Sequence, residues 1–115
     1  MSPTIVLKDG KPIILTGSPG GSRIPEYVAQ NLVGMLMFDL DPATAAALPH
    51  VSQRNRGSVA LEPGTSAAIR EGLEVRGHSV EIKDQNSGVH TIVIGADGVL
   101  TGGADPRREG LAAGN

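Results

Sequence analysis

The run Gly17-Ser18-Pro19-Gly20-Gly21-Ser22-Arg23-Ile24 sets a pair of glycines between an apolar stretch and the start of a helical pattern. Glycine permits positive φ and lets the backbone approach a ligand closely. The first N–H groups of a helix lack carbonyl partners and sit at the positive end of its dipole. Such a turn can hold the oxyanion of an acyl-transfer intermediate or a phosphate. Its glycines can equally do no more than allow a tight strand-to-helix connection. A Walker loop is excluded, because no Gly-Lys-Ser/Thr follows.

Other residues with chemical potential are scattered. His50, His78 and His90 lack metal-ligand spacing and read as surface or loop residues, so no metal or other cofactor is expected. Arg54 and Arg56 lie in a polar stretch and read as a solvated loop. Loss of Met1 would expose Ser2 as an N-terminal nucleophile, its α-amine serving as base. Pro3 restricts Ser2 toward extended backbone, which argues against that role. Asp105-Pro106-Arg107-Arg108-Glu109 alternates in charge and suggests exposed ion pairs that pin the tail, worth about 0 to 1 kcal/mol each.

The elements that must position the glycine turn come from a chain of 115 residues, enough for one domain with a modest core. Its only aromatics are Tyr27 and Phe38, so Val, Ile, Leu, Ala and Met must fill the interior. A net charge of −2 and the missing stacking platform argue against nucleic acid as a partner. The absence of cysteine removes disulfides, thiolate metal sites and thiol nucleophiles together. No apolar run approaches the roughly 18 residues of a membrane span, and no signal-peptide pattern opens the chain.

Thr4 to Leu7 and Ile13 to Thr16 flank Asp9-Gly10, a type I′ dipeptide, and predict a hairpin leading into the glycine turn. Ile24, Val28, Leu32, Met35 and Leu36 recur at helical spacing, predicting a helix over about 23–38 with Ser22 near the cap and Pro25 in the first turn. Gly34 within it implies close packing against a neighbour. Asp41 as N-cap and Pro42 at the first position open a short helix through Leu48. Pro49 to Gly57 reads as loop and Ser58 to Glu62 as a strand. Thr65 caps a third helix to about Arg76, with Ile69 and Leu73 as its buried stripe and Gly77 as its stop. Val80 to Lys83 is a further strand, and Val89 to Ile94 with Val99 to Thr101 form a second hairpin around Asp97-Gly98 with the same turn chemistry as the first. Hairpins interleaved with helices predict an α+β fold, an antiparallel sheet covered by helices.

Three blocks, Met1-Ser2-Pro3-Thr4-Ile5-Val6-Leu7-Lys8-Asp9-Gly10-Lys11, the glycine turn, and Gly103-Ala104-Asp105-Pro106-Arg107-Arg108-Glu109-Gly110, together resemble the small subunit of γ-glutamyltransferases (γ-glutamyltranspeptidases) in order and spacing. That resemblance implies part of the αββα sandwich of N-terminal-nucleophile hydrolases. It implies that the main-chain amides of Gly20 and Gly21 form the oxyanion hole for γ-glutamyl transfer from donors such as glutathione to water, amino acids or peptides. It further implies a C-terminal fragment, because the family's catalytic threonine and the Ser-Ser pair that binds the substrate α-carboxylate precede the position of Met1. Ser2 follows the matching methionine and inherits neither role. The partners expected are the large subunit, the missing part of the small subunit and γ-glutamyl substrates, in a periplasmic or extracellular setting. The fragment alone is expected to be inactive, and to form a homodimer through its uncovered apolar faces. Family members often follow the proline matching Pro49 with an aromatic and histidine-rich segment, whereas this chain has Val51-Ser52-Gln53-Arg54-Asn55-Arg56. A non-catalytic anion-binding or interaction module using the same glycine turn is the alternative.

Overall fold

The computed structural model describes residues 1–114. Two compact units divide the chain: Met1–Leu48 with the residues from Asn86 onward, and Pro49–Gln85.

The first unit opens with the expected hairpin, β1 (Thr4–Lys8) and β2 (Lys11–Gly17). Asp9 at φ 51° and Gly10 at φ 75° make the turn, the left-handed pair that matches the twist of the flanking strands. The register steps from Val6↔Ile14 to Leu7↔Pro12, so Ile13 bulges beside a proline that cannot donate to the ladder. The long helix α1 (Ile24–Phe38) follows, then α2 (Pro42–Ala47). Asp41 caps α2 through its carboxylate, which accepts from Ala43 N and Thr44 N, both at 3.0 Å. The Thr44 hydroxyl foremost, then the capped amides, hold the Asp41 carboxyl below its ordinary range.

After the second unit the chain returns to this sheet, the hairpin strands there being labelled β6 (His90–Ile94) and β7 (Leu100–Ala104) in chain order. The four strands lie in the order β1-β2-β6-β7, every pair antiparallel. The turn between the last two strands departs from expectation. Gly98 is left-handed at φ 82°, Asp97 is not, and Asp97 Oδ1 accepts instead from Val99 N at 3.0 Å. A longer loop closed by Gly98 N to Gly95 O at 2.9 Å replaces the two-residue I′ turn.

Both helices cover one sheet face. Ile14, Met35 and Ala45 form a buried cluster with Val6, Leu32, Leu40 and Val93 packed around it. Each fully buried aliphatic side chain of this kind contributes about 1.5 to 3 kcal/mol. Gly34 has the close neighbour its position implied, since a Cβ there would lie 3.4 Å from Ala45 Cβ. One face of α1 is not apolar throughout. Asn31, only 1% exposed, donates from Nδ2 to Thr16 Oγ1 at 3.2 Å and Thr91 Oγ1 at 2.8 Å, while Leu36 points outward. The opposite sheet face carries Ile5, Leu7, Ile92 and Leu100 exposed. With Leu15 and the segment Leu111–Gly114, Ile92 and Leu100 line a cleft of about 860 Å³.

The second unit contains β3 (Val51–Ser52), β4 (Val59–Leu61), α3 (Ala67–Val75) and β5 (Val80–Ile82). The first of these lies where the composition suggested only loop. β3 and β4 are antiparallel, but β4 and β5 are parallel, because a helix rather than a tight turn connects them. Ser66, not Thr65, caps α3, since the Thr65 hydroxyl donates to Glu62 O at 2.7 Å. Gly77 ends it at φ 88°, with Gly77 N on Glu74 O and His78 N on Leu73 O. Ile69 and Leu73 do not form a buried stripe: no residue of α3 is fully buried, and Ile69 is 47% exposed. Among the described residues, no helix is long and apolar enough to cross a membrane.

Candidate active site

β2 ends at Gly17, and six residues separate it from the start of α1 at Ile24. Gly20 has φ 140°, a conformation that L side chains rarely adopt, and a Cβ there would lie 3.2 Å from Ile24 Cγ1. Glycine is thus required at this position by the chain itself. At Gly21 a Cβ would meet nothing within 4 Å. The turn is closed by Ile24 N donating to Gly21 O at 3.2 Å, and among the described residues neither the Gly20 nor the Gly21 N–H donates to a partner. Both residues are exposed. Ser22 does not cap the helix. The N-cap is Arg23, in a helical conformation that makes no side-chain cap bond, because the turn enters the helix one residue later than the serine position anticipates.

Ser18 anchors the incoming limb of the turn. Only 2% exposed, it donates from its main chain to Met1 O at 3.3 Å and from Oγ to Pro19 O at 2.8 Å. The same Oγ accepts from Gly88 N at 3.1 Å. Gly88 leaves Pro19 no slack, since a Cβ on it would come within 2.7 Å of Pro19 Cγ and 2.9 Å of Arg108 Cδ.

Behind Gly88 lies the carboxylate of Asp105, 1% exposed. Its Oδ2 accepts from Ser87 Oγ and from Val89 N, and its Oδ1 accepts from Arg107 N at 3.0 Å and Arg107 Nη1 at 2.9 Å. Burial pushes this carboxyl up, but the hydrogen bonds from Ser87 and Arg107, with that from Val89, outweigh it and hold the group below its ordinary value. Arg107 also donates to Ala46 O at 2.9 Å and Leu48 O at 2.8 Å, satisfying carbonyls at the C-terminus of α2. Arg108 reaches Ser87 O at 3.2 Å and Asn86 O at 2.8 Å. The tail is therefore not held by exposed ion pairs. Its acid is buried, so the small surface value does not apply.

The remaining sequence candidates stay apart from the turn or change character. Ser2 adopts φ 43° rather than extended backbone, held by Ser18 N on Met1 O and by Thr4 Oγ1 on its own carbonyl at 3.1 Å. His50 is buried, 1% exposed, because its main chain is built into the second unit: its N–H donates to Glu62 Oε2, and its carbonyl accepts from Glu62 N and Gln85 Nε2. His78 and His90 are exposed, with His90 Nδ1 donating to Gly88 O at 2.9 Å. Arg54 and Arg56 are exposed in a bend around Asn55 at φ 61°. No spacing in the sequence groups Ser18, Ser87, Gly88 and Asp105. The available signal was Asp105-Pro106-Arg107, in which an aspartate can turn its carboxylate onto the N–H two residues ahead.

The family model for gamma-glutamyltranspeptidase matches residues 1–115, the whole chain. The chain belongs to the gamma-glutamyltranspeptidase family. A relative in Escherichia coli (strain K12), a glutathione hydrolase proenzyme, is 41% identical over 108 residues, which are 93% of this chain and 19% of that protein. The gamma-glutamyltranspeptidase of Helicobacter pylori, solved as a T380A mutant, superposes with a TM-score of 0.86 at 31% identity over 94% of this chain and 61% of that one. A cephalosporin acylase from Bacillus halodurans superposes with a TM-score of 0.88 at 28% identity, over 95% of this chain and 21% of that one. The chain thus spans about a fifth of the length of the curated relatives it matches. The α+β architecture is that of N-terminal-nucleophile hydrolases, with the antiparallel sheet and covering helices in the first unit.

Proposed function

We propose that this chain is the oxyanion-stabilising part of an enzyme that cleaves γ-glutamyl amides such as glutathione and passes the γ-glutamyl group to water, amino acids or peptides. The observation that carries the reading is the pair of adjacent N–H groups, Gly20 and Gly21, left without partners among the described residues in a turn where Gly21 has no steric need to be glycine. A nucleophile attacks the γ-carbonyl carbon, and the electron pair of the C=O bond moves onto oxygen. Two main-chain donors aimed at that oxygen lower the barrier by about 3 to 4 kcal/mol each. When the oxyanion re-forms the carbonyl, the amine leaves with a proton, and the acyl-enzyme is then opened by water or by an acceptor amine. The attacking atom and the anchor for the α-carboxylate come from further chain, in a periplasmic or extracellular enzyme.

That further chain would cover the sheet face on which Ile5, Leu7, Ile92 and Leu100 are exposed, since apolar sheet surface of this extent marks an interface. Without it, two copies would cover one another, which sedimentation would register as a dimer. The experiment is hydrolysis of γ-glutamyl-p-nitroanilide by the isolated chain and by the Escherichia coli relative carrying this chain in place of its matching segment. The chimera is expected to release p-nitroaniline and the isolated chain is not. Activity of the isolated chain would overturn the division of labour, and a folded but inactive chimera would overturn the assignment.

A further inference from the structure

We infer that Ser18 is a positioning residue that sets the direction of the Gly20 N–H, with Gly88 as its stop. The inference rests on the reading of Gly20 and Gly21 as oxyanion donors and goes beyond it by naming what holds them. The Pro19 carbonyl and the Gly20 N–H belong to one planar trans peptide, so they point in opposite directions. Ser18 Oγ donates to Pro19 O at 2.8 Å. Fixing that oxygen on the Ser18 side therefore fixes the Gly20 N–H on the other.

Among the described residues, no other hydrogen bond to the Pro19 carbonyl is seen. A glycine at φ 140° imposes no side-chain barrier to rotation of the preceding peptide plane. The closing bond of the turn, Ile24 N to Gly21 O, lies beyond that plane. The hydroxyl is itself immobilised, because its acceptor side takes the Gly88 N–H at 3.1 Å and the side chain is buried. Gly88 is in turn backed by Arg108 and faces Pro19 so closely that a methyl group would strike both. The Asp105 carboxylate grips the residues on either side of Gly88, through Ser87 Oγ and Val89 N. Orientation thus passes from a buried anion through a glycine and a hydroxyl to one peptide plane.

The test uses the chimeric full-length enzyme and three variants. Ser18→Ala removes the bond to Pro19 O, Gly88→Ala keeps the hydroxyl but displaces Pro19, and Gly21→Pro deletes an oxyanion N–H directly. Ser18→Ala and Gly88→Ala are each expected to lower kcat about 10- to 100-fold, as for a displaced or lost oxyanion donor, with KM unchanged. Affinity for a γ-boronate analogue of glutamate, whose tetrahedral adduct carries an oxygen in the oxyanion position, should fall by the same factor, while affinity for glutamate holds. A merely structural role would lower thermal stability without separating kcat from KM or boronate from glutamate. If Gly21→Pro lowers kcat and folded Ser18→Ala and Gly88→Ala do not, the positioning inference is overturned and the oxyanion reading stands. If folded Gly21→Pro keeps full kcat, the oxyanion reading fails and the inference falls with it.

Discussion

Asp105→Asn tests most directly whether the buried carboxylate organises the end of the chain. The replacement keeps the shape and removes the charge. Asp105 uses both oxygens as acceptors, Oδ2 for Ser87 and Val89 and Oδ1 for the main chain and guanidinium of Arg107. Asparagine offers one oxygen and one NH2. Whichever way the amide is turned, two donors face an NH2 group instead of an acceptor. Two orphaned donors in a site 1% exposed cost about 1 to 3 kcal/mol each, and the Arg107 guanidinium, its side chain 15% exposed, loses its counter-charge. The expected loss is about 3 to 5 kcal/mol, the usual penalty for breaking a buried pair on one side. Against a total stability of about 5 to 15 kcal/mol, that is a large fraction.

Urea unfolding followed through the fluorescence of Tyr27, the only tyrosine in a chain without tryptophan, would measure it. The pH dependence supplies a second reading. The folded value for Asp105 lies below its ordinary 3.8, so its contribution is fully present above the unfolded value and is lost as pH falls through the folded one. The gap between wild type and Asp105→Asn should be constant from neutral pH down to about 5 and should shrink below about 4. A loss under about 1 kcal/mol at pH 7, or a gap unchanged down to about pH 2, would refute the account.

Two further substitutions probe the turn and the interior. Gly20→Ala should cost about 1 to 3 kcal/mol in urea unfolding, because alanine resists φ 140°, whereas Gly21→Ala should stay within about 0.5 kcal/mol of wild type; equal losses would contradict the turn geometry. Asn31→Asp places a carboxylate where the side chain is 1% exposed and raises its folded pKa above the unfolded value, so destabilisation should grow with pH above about 4, reaching about 2 to 4 kcal/mol at pH 7; a variant whose loss does not change between pH 4 and pH 7 would show that the site hydrates.

What the sequence disclosed and what it hid divide by the range of the interactions. The Asp9-Gly10 hairpin and the Asp41-Pro42 helix start are settled within four or five residues, and both stand where the residues put them. The cap of α3 slipped by one residue because Thr65 and Ser66 are chemically equivalent until Glu62 O takes the threonine hydroxyl. Nothing near Asn31 in the sequence marks it as buried, since its partners Thr16 and Thr91 lie 15 and 60 residues away. Asp105 looked like a surface charge for the same reason, with Ser87 18 residues distant. The glycine pair was legible as a possible anion cradle, but Ser18, which sits between Gly17 and Pro19 without any helical or strand periodicity, gave no sign of the Gly88 N–H 70 residues on.

On the oxyanion reading, the difference between the turn and its supports bears on catalysis. A donor that is to stabilise an oxyanion must not be satisfied within the protein, yet it must not be free to turn. Gly20 and Gly21 meet the first condition by having no partner among the described residues and lying exposed, where water solvates their N–H groups at little cost. They cannot meet the second themselves, because glycine has no side chain to pack. Rigidity must then come from neighbours that are fully satisfied and dry, and Ser18, Ser87, Gly88 and Asp105 are all buried. On the oxyanion reading, weakening those supports would slow the chemistry before it unfolded the chain, while the exposed donors would gain strength once further chain excluded water from the turn.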